Sequence, residues 1–235
     1  MRRIVSLLAA GIGLAIVGVA CGQSRAADLT TLVSFCSLAN CADGDFPIAG
    51  LIADANGNLF GTTIIGGSGA GEHNRGTVFE IAKTATGYAI APTTLFSFCS
   101  VTNCADGANP VAGLIADVDG NLFGTTYGGG ANGVGTVFEI VKTTRGYAST
   151  PTTLVSFTDG ANPLAGLIAD ADGNLFGTTY GGGANGVGTV FEIVKTTSGY
   201  ASTPTTLVSF NGYDGANPRA GLIADAKGNL FGTTI

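Results

Sequence analysis

Beyond residue 29 the chain reads as short apolar runs set between clusters of Gly, Asn, Asp and Pro. Four runs recur. Run a is Gly50-Leu-Ile-Ala-Asp54, repeated from Gly113, Gly166 and Gly221. Run b is Asn58-Leu-Phe-Gly-Thr-Thr63, repeated from Asn121, Asn174 and Asn229. Run c is Gly76-Thr-Val-Phe-Glu-Ile81, repeated from Gly135 and Gly188. Run d is Thr31-Leu-Val-Ser-Phe35, repeated from Thr94, Thr153 and Thr206, with Phe96 replacing Val in the second copy. The runs are rich in β-branched and aromatic residues and none keeps a helical period, so each predicts a strand. Asp54-Ala-Asn-Gly57 and its copies from Asp117, Asp170 and Asp225 join a to b. Their Asn-Gly and Asp-Gly steps supply the positive φ of a tight hairpin.

Successive a runs start 63, 53 and 55 residues apart, and residues 113–150 and 166–203 differ only at Val118/Ala171 and Arg145/Ser198. Four strands per unit at this period predict an all-β, β-propeller-like array of four-stranded blades; a β-solenoid has shorter coils. The repeat units lie near 50–98, 113–157, 166–210 and 221–235, inside one domain spanning 28–235. Four d, four a, four b and three c runs make about three complete blades plus an incomplete fourth. Either the N-terminal d run closes the last blade into a four-bladed ring, or the array is an open arc. An open arc exposes strand edges and an apolar face, and so favours self-association. The expectation is an array incomplete at its last blade.

Composition narrows the function classes. With 45% hydrophobic and 11% charged residues the chain is too apolar to be disordered by charge. A single His excludes a multi-His metal site or a catalytic machine built on histidines. The net charge is −6, and three basic residues but no acidic one precede Asp28, so the remainder is more acidic still. Such a surface repels nucleic acid.

Met1-Arg2-Arg3, an uncharged stretch over residues 4–20, and small residues up to Ala26 and Ala27 form the three-part pattern of a secretory signal over 1–27. Its removal would leave no membrane span. Val19-Ala20-Cys21-Gly22 adds a second reading, lipidation at Cys21, although Gly18 stands where lipoprotein signals carry a larger aliphatic residue. The remaining cysteines form two close pairs, Cys36/Cys41 and Cys99/Cys104. A zinc site would need both pairs to converge, usually at tighter spacing. Two local disulfides need only the oxidising compartment that export supplies.

The motif Leu-Ile-Ala-Asp-x-x-Gly-Asn-Leu-Phe-Gly-Thr-Thr-Tyr-Gly-Gly, followed by Gly-Thr-Val-Phe-Glu-Ile, resembles the GloVer tandem repeat of secreted bacterial proteins. It is similar, more distantly, to the regulator-type propeller repeat, with Phe60, Phe123, Phe176 and Phe231 in the place of its Trp. The resemblance covers nearly everything after Ala27. It implies a propeller-like fold and a surface or extracellular placement, and it carries over no reaction and no functional residue.

In such a blade the d–a and b–c loops share one face, while the a–b and c–d turns share the other. The variable loops all fall on the first face, which is where function tends to sit. There Asp43, Asp106, Asp159 and Asp214 recur, mostly as Asp-Gly-Ala-Asn-Pro. They are strong turn formers, or else a ring of carboxylates for a cation or for sugar hydroxyls. Tyr127 and Tyr180 could stack on a sugar or cover a blade edge.

Other motifs have simpler readings. Residues 64–75 of the first unit hold Glu72, His73 and Arg75, read as a polar surface loop. Glu80, Glu139 and Glu192, followed by Lys83, Lys142 and Lys195, read as solvated strand ends rather than paired glycosidase carboxylates, which stand about 5–10 Å apart. Asp117-x-Asp-Gly-Asn121 and its copy from Asp170 read as hairpins, lacking the distal Glu of a calcium loop. Gly128-x-Gly-x-x-Gly133 and its copy from Gly181 lack the following helix that a dinucleotide site needs.

No catalytic residue, metal or cofactor is assigned. The reading is a secreted, noncatalytic scaffold for a glycan or protein ligand. Its rivals are a carbohydrate-active enzyme using Asp or Glu on the loop face, and a structural surface repeat or fragment.

Overall fold

The computed structural model describes residues 5–8, 28–68, 75–158 and 161–235, the first four by backbone alone. Three four-stranded antiparallel blades follow one another. The first is built from Ile52–Ala53, Leu59–Thr63, Thr77–Ile81 and Thr93–Ser97. The second holds Ile115–Ala116, Leu122–Thr126, Thr136–Ile140 and Thr152–Ser156, and the third Ile168–Ala169, Leu175–Thr179, Thr189–Ile193 and Thr205–Ser209. Runs a, b, c and the next d therefore make each blade, in that spatial order. A fourth blade has two described strands, Ile223–Ala224 and Leu230–Phe231.

Thr30–Ser34, the first d run, does not join that blade. It pairs in parallel with Val5–Leu8, and Val33 and Phe35 pack on Phe79 and Ile81 of the first blade. Among the described residues the array is an open arc with two strands in its last blade. The expected cleavage at Ala26 or Ala27 and lipidation at Cys21 lie outside the described residues.

The hydrophobic cores sit between blades. Phe123, Val137 and Val155 of the second blade meet Leu167, Leu175, Phe191 and Ile193 of the third. Phe60, Val78 and Phe96 of the first meet Leu114, Leu122, Phe138 and Ile140 of the second in the same way. Alternation along each strand explains this: residues at i and i+2 point to one face, so each blade is apolar on both faces and needs a neighbour on each.

Polar mortar repeats at the same junctions. Thr62 Oγ1 donates to the Ala112 carbonyl, Thr125 Oγ1 to Ala165 and Thr178 Oγ1 to Ala220, at 2.9, 3.1 and 3.4 Å.

The c–d connection holds a feature the repeat pattern does not predict, a second two-stranded hairpin. It pairs Lys83–Thr84 with Gly87–Tyr88, Lys142–Thr143 with Gly146–Tyr147 and Lys195–Thr196 with Gly199–Tyr200. Two-residue strands are too short to show a period. The second and third hairpins reach back to the previous blade: Tyr147 meets Phe60 edge-on at 5.3 Å, and Tyr200 meets Phe123 at 5.5 Å.

Candidate functional site

The d–a and b–c loops meet on one face. Antiparallel bridges join Asp45 to Ile65 and Ala108 to Gly128. The Gly67 amide donates to the Cys41 carbonyl and the Gly130 amide to the Cys104 carbonyl, at 2.9 and 2.8 Å. Disulfides Cys36–Cys41 and Cys99–Cys104 close the two long d–a loops. Each holds a turn of 3-10 helix, Ala39–Cys41 and Thr102–Cys104. A Cys99→Ser/Cys104→Ser chain should lose about 2 kcal/mol, the chain-entropy value for so short a loop. Chemical denaturation checks the loss, and peptide mapping of unreduced protein should recover both local pairs.

Two carboxylates of this face, Asp43 and Asp106, are turned into their own loops. Asp43 is 3% exposed and accepts hydrogen bonds from the Ser37 hydroxyl and from the Ser37 and Leu38 amides, at 2.6, 3.0 and 3.2 Å. Burial pushes its carboxyl up, but these donors together outweigh burial and hold it below its ordinary value. Asp106 accepts from the Ser100 hydroxyl and amide at 2.7 and 2.8 Å. Asp159 lies outside the described residues. Asp214, in a loop without cysteines, is exposed and accepts from the Asn211 amide and side chain at 2.9 Å each. Tyr127 is exposed, while Tyr180 is half-buried with the Arg219 guanidinium 5.1 Å over its ring. Glu72 and His73 also lie outside the described residues; the Arg75 carbonyl is described and accepts from the Asn109 amide at 2.7 Å.

This face also exposes apolar side chains. Leu38 and Val101 occupy corresponding positions in the two disulfide-closed loops and are 59% and 50% exposed. Phe46, 51% exposed at φ 57°, stands where the later copies carry Asn.

That Asn has a role that reading it as turn chemistry missed. Asn109, Asn162 and Asn217 clip each blade to the one before. Their amides donate to the carbonyls of Arg75, Val134 and Val187 at 2.7, 2.9 and 2.7 Å. Their Nδ2 groups donate to Ile64, Tyr127 and Tyr180 at 3.0, 2.9 and 2.8 Å. The recurrence of Asn-Pro in three loops of different length was the available signal. Asn162→Asp keeps the shape but sets a carboxylate oxygen against the Tyr127 carbonyl. The expected cost is about 1 kcal/mol, read by thermal melting, because an exposed hydrogen bond between blades is lost.

On the opposite face, Asp54 Oδ1 accepts from the Asn56 and Asn58 amides at 2.9 Å each, and Oδ2 from Asn58 Nδ2 at 3.0 Å, so the hairpin consumes its own carboxylate. Glu80 differs from its expected setting. It is half-buried, and the lysine that acts on it is Lys142 of the next blade rather than Lys83. Lys142 also lies 3.8 Å from Asp54. Burial first, and then Asp54, push the Glu80 carboxyl up, against the pull of Lys142. Glu139 repeats this with Asp117 and Lys195. Burial and neighbouring carboxylates push the Tyr147 and Tyr200 hydroxyls up to about 12. Among the described residues Cys36, Cys41 and Asp45 come within metal-ligating reach of one another, but the two sulfurs are bonded together and leave no thiolate.

Blades of one repeated four-stranded unit, cored between neighbours and clipped by Asn side chains, define a propeller-like repeat protein. The chain belongs to the Gloeobacter/Verrucomicrobia repeat family, whose profile matches residues 23–235. Among solved structures it is similar to a candidate 6-phosphogluconolactonase from Bacteroides uniformis, with 14% identity and a TM-score of 0.51. The match covers 79% of this chain and 49% of that one, so the chain spans about half that protein's length. At this identity the likeness concerns the fold. A comparison with curated proteins finds no match.

Proposed function

We propose that the chain is an exported, noncatalytic scaffold that binds a partner protein through its disulfide-braced loop face. The exposure of Leu38 and Val101 at the same position of two rigid loops, with Phe46 beside the first, carries this reading. Exposed apolar side chains held on a rigid frame lose little entropy on binding and fit the core of a protein interface. Disulfides persist in oxidising compartments, which supports export. Among the described residues no helix is long and apolar enough to cross a membrane. A carbohydrate-active enzyme needs free carboxylates from different blades, whereas Asp43 and Asp106 are bound into their own loops. The exposed ring of Tyr127 favours a glycan as the second reading.

The test compares the native chain with Leu38→Asp/Val101→Asp and with Tyr127→Ala, on proteins of the native secretome and on a glycan array. Partner capture should fall at least about tenfold in the double Asp chain, as for a buried interface anchor. Glycan binding lost with Tyr127→Ala would favour the second reading. Glycan hydrolysis, or equal capture by all three chains, would overturn the proposal.

A further inference from the structure

The two disulfide-closed loops share a backbone held by hydrogen bonds that do not involve sulfur. In the first, the Cys36 amide donates to the Gly44 carbonyl at 2.8 Å and the Cys41 amide to the Leu38 carbonyl at 3.0 Å. The Cys41 carbonyl accepts from the Gly44 and Gly67 amides at 2.8 and 2.9 Å. The second loop repeats these contacts through Cys99, Cys104, Gly107 and Gly130. Asp43 and Asp106 fasten the two loops in the same way, through Ser37 and Ser100. Two residues after that buried carboxylate the loops differ: the first has Asp45 and the second Ala108.

Asp45 stands beside the sulfurs. One carboxylate oxygen of Asp45, Cys36 Sγ and Cys41 Sγ all lie within 4.8 Å of one another. The Asp45 backbone is fixed, its amide donating to the Ile65 carbonyl at 2.8 Å and its carbonyl accepting from the Ile65 amide at 3.3 Å. Its Oδ1 accepts from the Phe46 amide at 2.8 Å, which orients the carboxylate. Access also differs between the loops. Cys36 is exposed, whereas Cys99 is 9% exposed, so a reductant in solution reaches the first disulfide more readily. A tetrahedral zinc ion with bonds of about 2.3 Å to sulfur and about 2.0 Å to oxygen sets its ligand atoms about 3.5–3.8 Å apart. Three donor atoms already gathered this closely need only small side-chain rotations to converge on it. Two thiolates and a carboxylate suit a borderline-soft divalent cation.

We propose that the first loop is a redox-gated zinc site. Oxidised, it is a disulfide brace. Reduced, the Cys36 and Cys41 thiolates and the Asp45 carboxylate hold one zinc ion, with the fourth position open to water. A dithiol reductant supplies the two electrons and two protons that cleave the sulfur bond, and itself becomes a disulfide. The ion then displaces both thiol protons. Disulfide and ion exclude each other because they use the same two sulfurs. The second loop offers two sulfurs without a third ligand, since Ala108 replaces Asp45 and Asp106 is bound to Ser100. The site does not depend on the partner proposed for the loop face.

The probe is Co2+, titrated into the whole chain carrying Cys21→Ser, which removes the fifth cysteine. The titration is made after reduction with a phosphine and again after reoxidation. One equivalent should bind the reduced chain, with thiolate-to-cobalt charge-transfer absorption and the visible bands of a tetrahedral ion, and Zn2+ should displace it. None should bind the oxidised chain. Asp45→Ala places in the first loop the residue of the second. It should weaken binding at least about tenfold, since even an indirect partner of a metal ligand is worth that much. Oxidised Asp45→Ala should melt as the native chain does, which separates ligand loss from unfolding. Cys36→Ser/Cys41→Ser should abolish binding, and Cys99→Ser/Cys104→Ser should leave it intact. Bound ion should shield Cys36 and Cys41 from alkylation but not Cys99 and Cys104. No binding to the reduced chain, equal binding to the oxidised one, binding unchanged in Asp45→Ala, or binding lost with Cys99→Ser/Cys104→Ser would each overturn the proposal. So would a reduced chain that no longer melts cooperatively, because the loop would then not outlast its sulfur bond.

Discussion

Phe123→Ala should destabilise the protein by about 3–5 kcal/mol, while Phe231→Ala in the same sequence motif should cost less than about 1 kcal/mol. Both residues lie in Asn-Leu-Phe-Gly-Thr-Thr. Phe123 is 1% exposed, packed on the third blade and edge-on to Tyr200; Phe231 is 52% exposed. Removing the first ring leaves a cavity between two blades that the sheets on either side cannot collapse to fill. Removing the second deletes atoms already half in water. Urea denaturation of the two variants against the native chain measures the difference. Equal losses would show that the fourth blade is covered in solution.

Gly135→Ala should be among the most damaging single-methyl changes, like its counterparts at Gly76 and Gly188. Gly135 has φ +102°, a region costly to a side chain. A Cβ there would collide with the Thr126 carbonyl oxygen and come 2.7 Å from Pro163 Cδ, at the clip between the second and third blades. The backbone conformation costs about 1–3 kcal/mol, and overpacking adds about 1–3 kcal/mol. Gly133→Ala separates the two effects: its φ is +77°, yet a Cβ would meet nothing within 4 Å. It should lose only the conformational share, about 1 kcal/mol. Melting curves of both variants give the comparison. Equal shifts would mean that the clip tolerates the methyl group.

Much of the site was open to inspection as residues but not as contacts. The placement of the variable loops on one face follows from four antiparallel strands per unit, whatever the side chains do. That Asp43 and Asp106 face inward does not follow from Asp-Gly, because the donors at Ser37 and Ser100 reach them only after the disulfide loop curls back. The pairing of Asp54 with Lys142 crosses a blade junction, and spacing along the chain carries no information about contacts 88 residues apart.

The sequence by itself determined the strands, their order within a blade, the hairpin turns and the four-unit count. Those depend on alternation, turn chemistry and repetition, all local properties of the chain. Tertiary structure alone decided how blades join. Burial between blades, the Asn109, Asn162 and Asn217 clips, and the reach of Tyr147 and Tyr200 to the preceding blade all arise between distant residues. It also decided that the first d run packs on the first blade instead of closing the last one. The runs of each type are nearly identical copies, so their residues specify a strand's place within a blade but not which blade it enters. That choice is made by the packing of one apolar face on another.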